Sequence, residues 1–274
     1  MIGLPNAKIN IGLHVIRKRE DGFHDLETVF YPVPWKDVLE ILPAKEDHGI
    51  SIEEYGNPLS LHNKENLCMK AYKLLAGQYK LPPVRMALLK NIPSEAGLGG
   101  GSADAAFTLS MLNEMFKLGL NSEGLAEEAL QLGSDCPFFI YNRPMFGTGR
   151  GDVLKPVELN LEGLFILIIK PGFSISTKQA FGRIKPRGTP GALREQISQP
   201  IKEWKDLIVN DFEFSLEQEF PEIGKLKLEL YERGALYASL SGSGSAVYGI
   251  FNSEPDLKGF EGYKAFKSKL GKPV

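Results

Sequence analysis

The 274-residue chain is 43% hydrophobic and 24% charged, the composition of a folded globular protein, which excludes a disordered or fibrous chain. Lys and Arg number 32 against 34 Asp and Glu, a net charge of -2 that lacks the basic footprint of a protein gripping nucleic acid. The longest strongly apolar run, Leu164 to Ile169, is far short of the roughly 20 residues needed to span a bilayer, and no signal-like segment opens the chain, so a cytoplasmic protein away from the membrane is expected.

At this length two lobes with a cleft between them are expected, a usual place for small-molecule chemistry. Cys68 and Cys136 are too few for a disulfide framework and lack a metal-ligand spacing, so both are read as small buried residues. The histidines, at positions 14, 24, 48 and 62, are not clustered as metal ligands.

From Ala7 to Arg17 the residues Ile9, Ile11, Leu13 and Val15 alternate on one face, the period of a half-buried strand, which turns Lys8, Asn10 and His14 to the polar side. Leu26 to Tyr31 and Asp37 to Leu42 read as further strands, the latter followed by a polar loop rich in charge and Gly. Glu65 to Gln78 places Leu67, Ala71, Leu74 and Leu75 on one helical face, and Val84 to Ile92 reads as a strand. A helix beginning at Ser102 carries Ala105, Leu109, Leu112 and Phe116, and Ser122 is a candidate cap for the next, which stops at Gly133. Gly133 to Pro137 is then expected to be an exposed turn. Leu164 to Lys170 is a short strand, Lys185 to Gly191 a Pro- and Gly-rich loop, and helices are expected over Ile201 to Gln218 and Pro221 to Arg233, closed by Gly234. Two strands flank the turn Ser241 to Ser245, and no fixed-period repeat is present.

The strongest local signal is Pro93-Ser94-Glu95-Ala96-Gly97-Leu98-Gly99-Gly100-Gly101-Ser102-Ala103, four glycines directly ahead of a helix. Glycines let backbone amides approach an anion, and the helix start adds partial positive charge, so the stretch reads as a phosphate cradle. A merely structural turn needs one or two glycines. No Lys-Ser or Lys-Thr pair follows, as a P-loop requires, and Ser102 occupies the last glycine position of a dinucleotide fingerprint. No His-Arg-Asp or Asp-Phe-Gly triplet of a protein kinase occurs.

This stretch resembles the middle motif of the galactokinase, homoserine kinase, mevalonate kinase and phosphomevalonate kinase (GHMP) superfamily. Pro5-Asn6-Ala7-Lys8-Ile9-Asn10 resembles its first motif and Ser239-Leu240-Ser241-Gly242-Ser243-Gly244-Ser245 its third, in the expected order. Four segments resemble the branch that phosphorylates 4-diphosphocytidyl-2-C-methyl-D-erythritol in the non-mevalonate isoprenoid pathway. They are Lys8-Ile9-Asn10 with Gly12-Leu13, Arg19 to His24, Gly133 to Pro137, and Pro171 to Thr177.

The resemblance implies a two-lobed α+β fold. An N-terminal lobe, 1–155, would be α/β and ribosomal-protein-like with a left-handed βαβ crossover, and a C-terminal lobe, 156–274, ferredoxin-like. It implies ATP bound on residues 93–103, Mg²⁺ carried in with ATP and met by the Ser102 hydroxyl, and a small substrate with a cytidine diphosphate group. Phe23 and Phe181 match an aromatic pair stacking on cytosine, His24 a hydrogen bond to its edge, and Asn10 and Thr177 further substrate contacts. Phe23 stands where many relatives carry Tyr. By composition alone Phe23 is more often core and His24 more often a surface residue. Asn66 matches a position near adenine, and equally reads as a helix cap.

Phosphoryl transfer needs a carboxylate to take the acceptor's proton and a cation to steady the developing charge. The resemblance gives these roles to Asp135 and Lys8, paired across the active site. Read alone, Asp135 is equally a turn former and Lys8 a solvated strand residue. The turn 241–245 either closes the phosphate site or is a plain hairpin loop. Rival readings are a homoserine or mevalonate type of kinase, without the cytidine site, and a non-catalytic nucleotide-binding regulator, against which the presence of both Lys8 and Asp135 weighs.

Overall fold

The computed structural model describes residues 1–45, 49–57 and 65–272; His48, His62 and part of the polar loop after Leu42 lie outside the described residues. The strands are β1 (Ile2–Gly3), β2 (Asn6–Lys18), β3 (His24–Lys36), β4 (Val38–Pro43), β5 (Ser51–Gly56), β6 (Val84–Lys90), β7 (Met145–Thr148), β8 (Val153–Pro156), β9 (Phe165–Lys170), β10 (Tyr237–Leu240), β11 (Val247–Phe251) and β12 (Lys264–Lys269). The helices are α1 (Leu67–Ala76), α2 (Gly100–Phe116), α3 (Ser122–Leu132), α4 (Cys136–Tyr141), α5 (Thr177–Phe181), α6 (Ala192–Gln196), α7 (Trp204–Leu207), α8 (Asp211–Leu216) and α9 (Pro221–Glu232). No helix among the described residues is long and apolar enough to cross a membrane.

Packing divides the chain into two discontinuous units. Met1–Ala7, Trp35–Ser94 and Gly99–Asn142 form the first, and Lys8–Pro34, Glu95–Leu98 and Arg143–Val274 the second. The boundary expected at 155/156 falls inside β8, where Lys155 pairs with Phe146 of β7. One physical reason is that β2 and β3 complete a sheet with β7 and β8, so early strands pack with late ones.

In the first unit a sheet of order β1-β4-β6-β5 is antiparallel except for the parallel pair β5 and β6, which α1 separates in sequence, giving the βαβ arrangement. On β6 the alternation of Val84, Met86 and Leu88 inward with Arg85 and Leu89 outward is the period-two pattern of a strand covered on one face. Those inward residues pack with Cys68, Ala71 and Leu75 of α1, Ala105, Leu109 and Leu112 of α2, and Ala129 of α3. Burial of each such Leu or Met contributes about 1.5–3 kcal/mol.

The inward row of β6 ends on a charge. Lys90 is 2% exposed and is paired with the carboxylates of Asp37 and Asp104, the latter at 2.6 Å. Asp37 also accepts the backbone amides of Asn91 (2.6 Å) and Ile92 (2.8 Å). This cluster ties the end of β6 to α2, the two elements on either side of the glycine stretch.

In the second unit β2, β3, β7 and β8 form one sheet, and β12, β9, β11 and β10, in that order and all antiparallel, form another. Counted along the chain, this second order is fourth, first, third, second, the order of a ferredoxin-like sheet. The connection 252–263 carries no helix. Ile223, Leu226 and Leu230 form the buried stripe of α9 at helical spacing and pack with Leu167, Ile169, Val247 and Leu240.

Several expectations are corrected. β2 is buried on both faces from Asn6 to Val15, and its polar side is taken up by buried contacts such as Lys8 with Asn10 and Asn10 with Thr28. The single helix expected over 201–218 is a 3₁₀ turn (Ile201–Glu203), α7 and α8. It breaks at Ile208, which is extended so that the carbonyl of Val209 can accept the Leu13 amide at 3.0 Å, and Asn210 caps α8 through the amide of Phe212 at 3.0 Å. The α2 helix begins at Gly100, with Gly99 left-handed ahead of it, rather than at Ser102, and Asn121 rather than Ser122 caps α3, accepting the Gly124 amide at 2.9 Å. The segment 133–137 is half-buried, and Cys136 and Pro137 already open α4.

Burial, with Asp37 adding to it, pushes the Asp104 carboxyl above the usual carboxylate range against the pull of Lys90. The folded state then holds a proton that the unfolded chain releases, so stability falls as pH rises above the ordinary value of about 3.9. Urea unfolding at pH 5.5 and 8 is expected to show this fall in the parent and not in Asp104→Asn. Asp37→Asn, which strips Lys90 and two amides of a charged acceptor, is expected to cost about 3–5 kcal/mol, and Asp104→Asn about 1 kcal/mol or less. Equal losses would contradict the assigned division of labour.

Candidate active site

The glycine stretch is shared between the units, with Pro93, Ser94 and Gly99–Ala103 in the first and Glu95–Leu98 in the second. Its backbone is left-handed at alternate residues, Glu95 (φ 50°), Gly97 (φ 73°) and Gly99 (φ 71°). Such alternation turns successive amides to one side and makes an anion-binding concavity. That a glutamate adopts this conformation was not readable from the sequence. Ser94 Oγ, just ahead, is buried without a hydrogen-bond partner among the described residues.

In the second unit Glu95–Leu98 is held by three backbone contacts. The Leu98 carbonyl accepts the Lys8 amide (2.9 Å), the Ala96 carbonyl accepts the Ala246 amide (3.1 Å), and the Gly97 carbonyl accepts the Ser241 hydroxyl (2.9 Å). A Cβ at Gly97 would overlap the Ser241 carbonyl, so glycine is required there by both space and φ. Gly101 differs: a Cβ there would meet only Leu67, at an ordinary 3.8 Å, so packing does not demand glycine.

Lys8 and Asn10, expected on a solvated strand face, are 3% and 2% exposed. Lys8 Nζ donates to Asn10 Oδ1 at 2.6 Å and stands 5.3 Å from the centre of the Phe30 ring. The Asn10 amide donates to Ser241 Oγ (3.3 Å), and its carbonyl accepts from the Tyr248 hydroxyl (2.8 Å). The turn 241–245 is thus bonded to both the glycine stretch and β2, as well as to the loop before α5. Ser245 Oγ donates to the Phe173 carbonyl (2.8 Å), and Thr177 Oγ1 lies 3.5 Å from Ser243 Oγ. Asn210 Nδ2 donates to the carbonyls of Leu240 and Gly242 (2.9 and 2.8 Å), fixing the turn from beneath. Asn210 and Tyr248 were missed in the sequence because an isolated Asn or Tyr carries no motif.

The aromatic residues reverse their compositional expectation: Phe23 is 53% exposed and His24 is buried. The ring stacked on Phe181 is His24 (centroids 5.2 Å apart, 29° between planes), and Phe212 meets Phe181 edge-on at 4.9 Å. Phe23 has the Arg150 guanidinium over it at 5.0 Å, and its amide donates to Asp21 (3.1 Å). Burial, and secondarily the charge of Lys18, lowers the His24 pKa, favouring the neutral ring, which can both donate and accept.

In the first unit Asp135 stands at the head of α4, half-buried. Burial, despite a hydrogen bond from Ser102, pushes the Cys136 thiol up to about 12, and burial likewise raises that of Cys68, so both are inert. Asn66 caps α1, accepting the Cys68 amide at 2.7 Å, and donates to Glu54 at 2.6 Å. Among the described residues no group of three His, Cys, Asp or Glu could hold a metal ion.

Gly97→Ala is expected to lower the melting temperature, because the side chain must displace the Ser241 turn. Gly101→Ala is expected to leave the melting temperature within about 2 °C of the parent. Calorimetric melting checks both; a Gly97→Ala protein that melts like the parent would contradict the contact's importance.

Residues 66–143 match the GHMP kinases N terminal domain and residues 192–261 the GHMP kinases C terminal domain. The chain is 50% identical over 258 residues to the 4-diphosphocytidyl-2-C-methyl-D-erythritol kinase of Bacteroides thetaiotaomicron, covering 94% of each protein. A crystal structure of a 4-(cytidine 5'-diphospho)-2C-methyl-D-erythritol kinase superimposes with a TM-score of 0.83 at 30% identity over 99% of both chains. A mevalonate kinase crystal structure superimposes with a TM-score of 0.73 but 13% identity, over 99% of both chains, a likeness of fold alone. The chain therefore belongs to the 4-diphosphocytidyl-2-C-methyl-D-erythritol kinase family, within the GHMP kinases.

Proposed function

We propose that this chain transfers the γ-phosphoryl group of ATP to the 2-hydroxyl of 4-diphosphocytidyl-2-C-methyl-D-erythritol, a step toward isoprenoid precursors. Its kinase family uses ATP, and its relatives carry this substrate in their names. The observation that carries the reading is the meeting of three motifs within one unit, where Ser241 Oγ binds both the Gly97 carbonyl and the Asn10 amide.

In this reading the amides of residues 93–103 and the start of α2 take up the nucleotide's phosphates. The alternating left-handed backbone and the Ser94 hydroxyl, without a partner among the described residues, support that role, as does a glycine at 101 that packing does not demand. Asn66 lies near the adenine; since its side chain is engaged at the α1 cap, its backbone is the part left to contact the base. Phe23, His24 and Phe181 receive the cytosine, and the buried neutral imidazole suits a hydrogen bond to its edge. Asn10 and Thr177 contact the rest of the substrate.

Asp135 accepts the proton of the 2-hydroxyl, and Lys8 steadies the negative charge that develops on that oxygen. The burial of Lys8 and the place of Asp135 at the head of α4 support these roles. Mg²⁺ accompanies ATP, and the protein oxygen offered to it is the Ser102 hydroxyl. A donor set without a three-ligand cluster among the described residues fits an ion carried largely by phosphates. When bound, Mg²⁺ supplies neutralisation of phosphate charge.

The test is incubation with Mg²⁺-ATP and, in parallel, 4-diphosphocytidyl-2-C-methyl-D-erythritol, homoserine or mevalonate, following ADP and the phosphorylated product. Phosphorylation of the cytidyl acceptor alone is expected. Turnover of another acceptor instead would keep the kinase and discard the cytidine site, and ATP binding without turnover would favour a regulator. Asp135→Asn and Lys8→Met are expected to lower kcat about 10²–10⁴-fold and leave the ATP dissociation constant within about twofold, at near-parental melting temperature. Parallel loss of ATP affinity and turnover would contradict the roles assigned.

A further inference from the structure

We propose that Thr28 is a positioning residue for the reaction: it sets the orientation of the Asn10 carboxamide and, through it, the place of the Lys8 ammonium. The proposal rests on the reading above, in which Lys8 steadies the acceptor oxygen.

Thr28 lies on β3 opposite Gly147 of β7 and is fully buried. A buried hydroxyl is costly unless its hydrogen-bonding capacity is met. Here Thr28 Oγ1 lies 2.6 Å from the carbonyl of Gly12 and 2.9 Å from Asn10 Nδ2. A carbonyl can only accept, so the single hydroxyl proton goes to Gly12, and toward Asn10 Thr28 offers only a lone pair. Asn10 must therefore turn its NH₂ to Thr28 and its oxygen the other way, where Lys8 Nζ stands at 2.6 Å. The reversed amide would set NH₂ against an ammonium and oxygen against an oxygen whose proton is already committed.

The polarity of this chain is anchored at both ends. Gly12 lies within β2 at a left-handed φ of 66°, and a side chain there would collide with Leu193 and Ile208, so glycine is required. Asn10's own backbone is held by Ser241 and Tyr248, which leaves its side-chain torsions as the freedom that Thr28 removes. The β-branched shape that suits threonine to a strand would be supplied equally by valine, so the hydroxyl can be tested apart from the shape.

The test compares kcat and both KM values for the parent, Thr28→Val, Thr28→Ser, Asn10→Ala and the Thr28→Val/Asn10→Ala double variant, with melting curves for each. Parent turnover of the cytidyl acceptor is measured first. Its failure would refute the reading above, whereas an active parent beside an unaffected Thr28→Val would refute only the role of Thr28. Thr28→Val is expected to lower kcat about 10- to 100-fold with the ATP KM within about twofold, and Thr28→Ser to stay within about threefold of the parent. Added to Asn10→Ala, Thr28→Val is expected to lower kcat by no more than about twofold further, because no carboxamide remains to orient. Losses that multiply in the double variant, or a serine variant as impaired as the valine one, would overturn the proposal. Thr28→Ala carries the same expectations and takes the place of Thr28→Val if the latter does not fold.

Discussion

One hydroxyl group, that of Ser241, holds together segments 144 and 231 residues away from it in the chain: it donates to the carbonyl of Gly97 and accepts from the amide of Asn10. Much of the second unit's site geometry follows from this contact. It brings the turn between β10 and β11 so close to the glycine stretch that Gly97 has no room for a side chain. It places Asn10 where its carboxamide meets Lys8 and Thr28. It also aligns Ser243 and Ser245 with the loop that leads to Thr177 and Phe181.

Such a site is assembled from groups that water would otherwise solvate. Lys8, Asn10 and Thr28 are all buried, and each is stable there because a specific partner is supplied. The first unit uses the same device at Lys90, which is met by the side chains of Asp37 and Asp104. Buried polar clusters of this kind resist displacement of one member, since each loss leaves another group unpaired. They suit the task of holding a glycine-rich backbone, which has little conformational preference of its own, in one shape.

Much of this was legible in the sequence where the signal is local. The glycine run at 97–101 marks the turn into α2, the alternation along β2 and the helical spacing in α1 and α9 mark those elements, and the ordered motifs point to the family. What could not be read is tertiary. The alternation of β2 shows one apolar face, but that Lys8, Asn10 and His14 are also buried depends on what covers the other face. The helix expected at 201–218 breaks because Val209 is claimed by Leu13, a partner nearly 200 residues away. Phe23 and His24 exchange their expected environments because the His24 ring stacks on Phe181, a contact that residue type does not announce. The alignment of Thr28 with Asn10 depends on strand register, and a lone threonine in a strand reads only as a β former.

The claim at the centre is that the Ser241 hydroxyl, rather than the turn's fold alone, holds Gly97 and Asn10 in place. Ser241→Ala tests it most directly, with the ATP dissociation constant, kcat and melting curve measured on one preparation. The expected result is an ATP dissociation constant raised about tenfold and a kcat lowered at least as much, in a protein that still melts cooperatively, since removing one buried hydrogen bond costs about 1–3 kcal/mol. Parental ATP affinity and turnover in that variant would contradict the account.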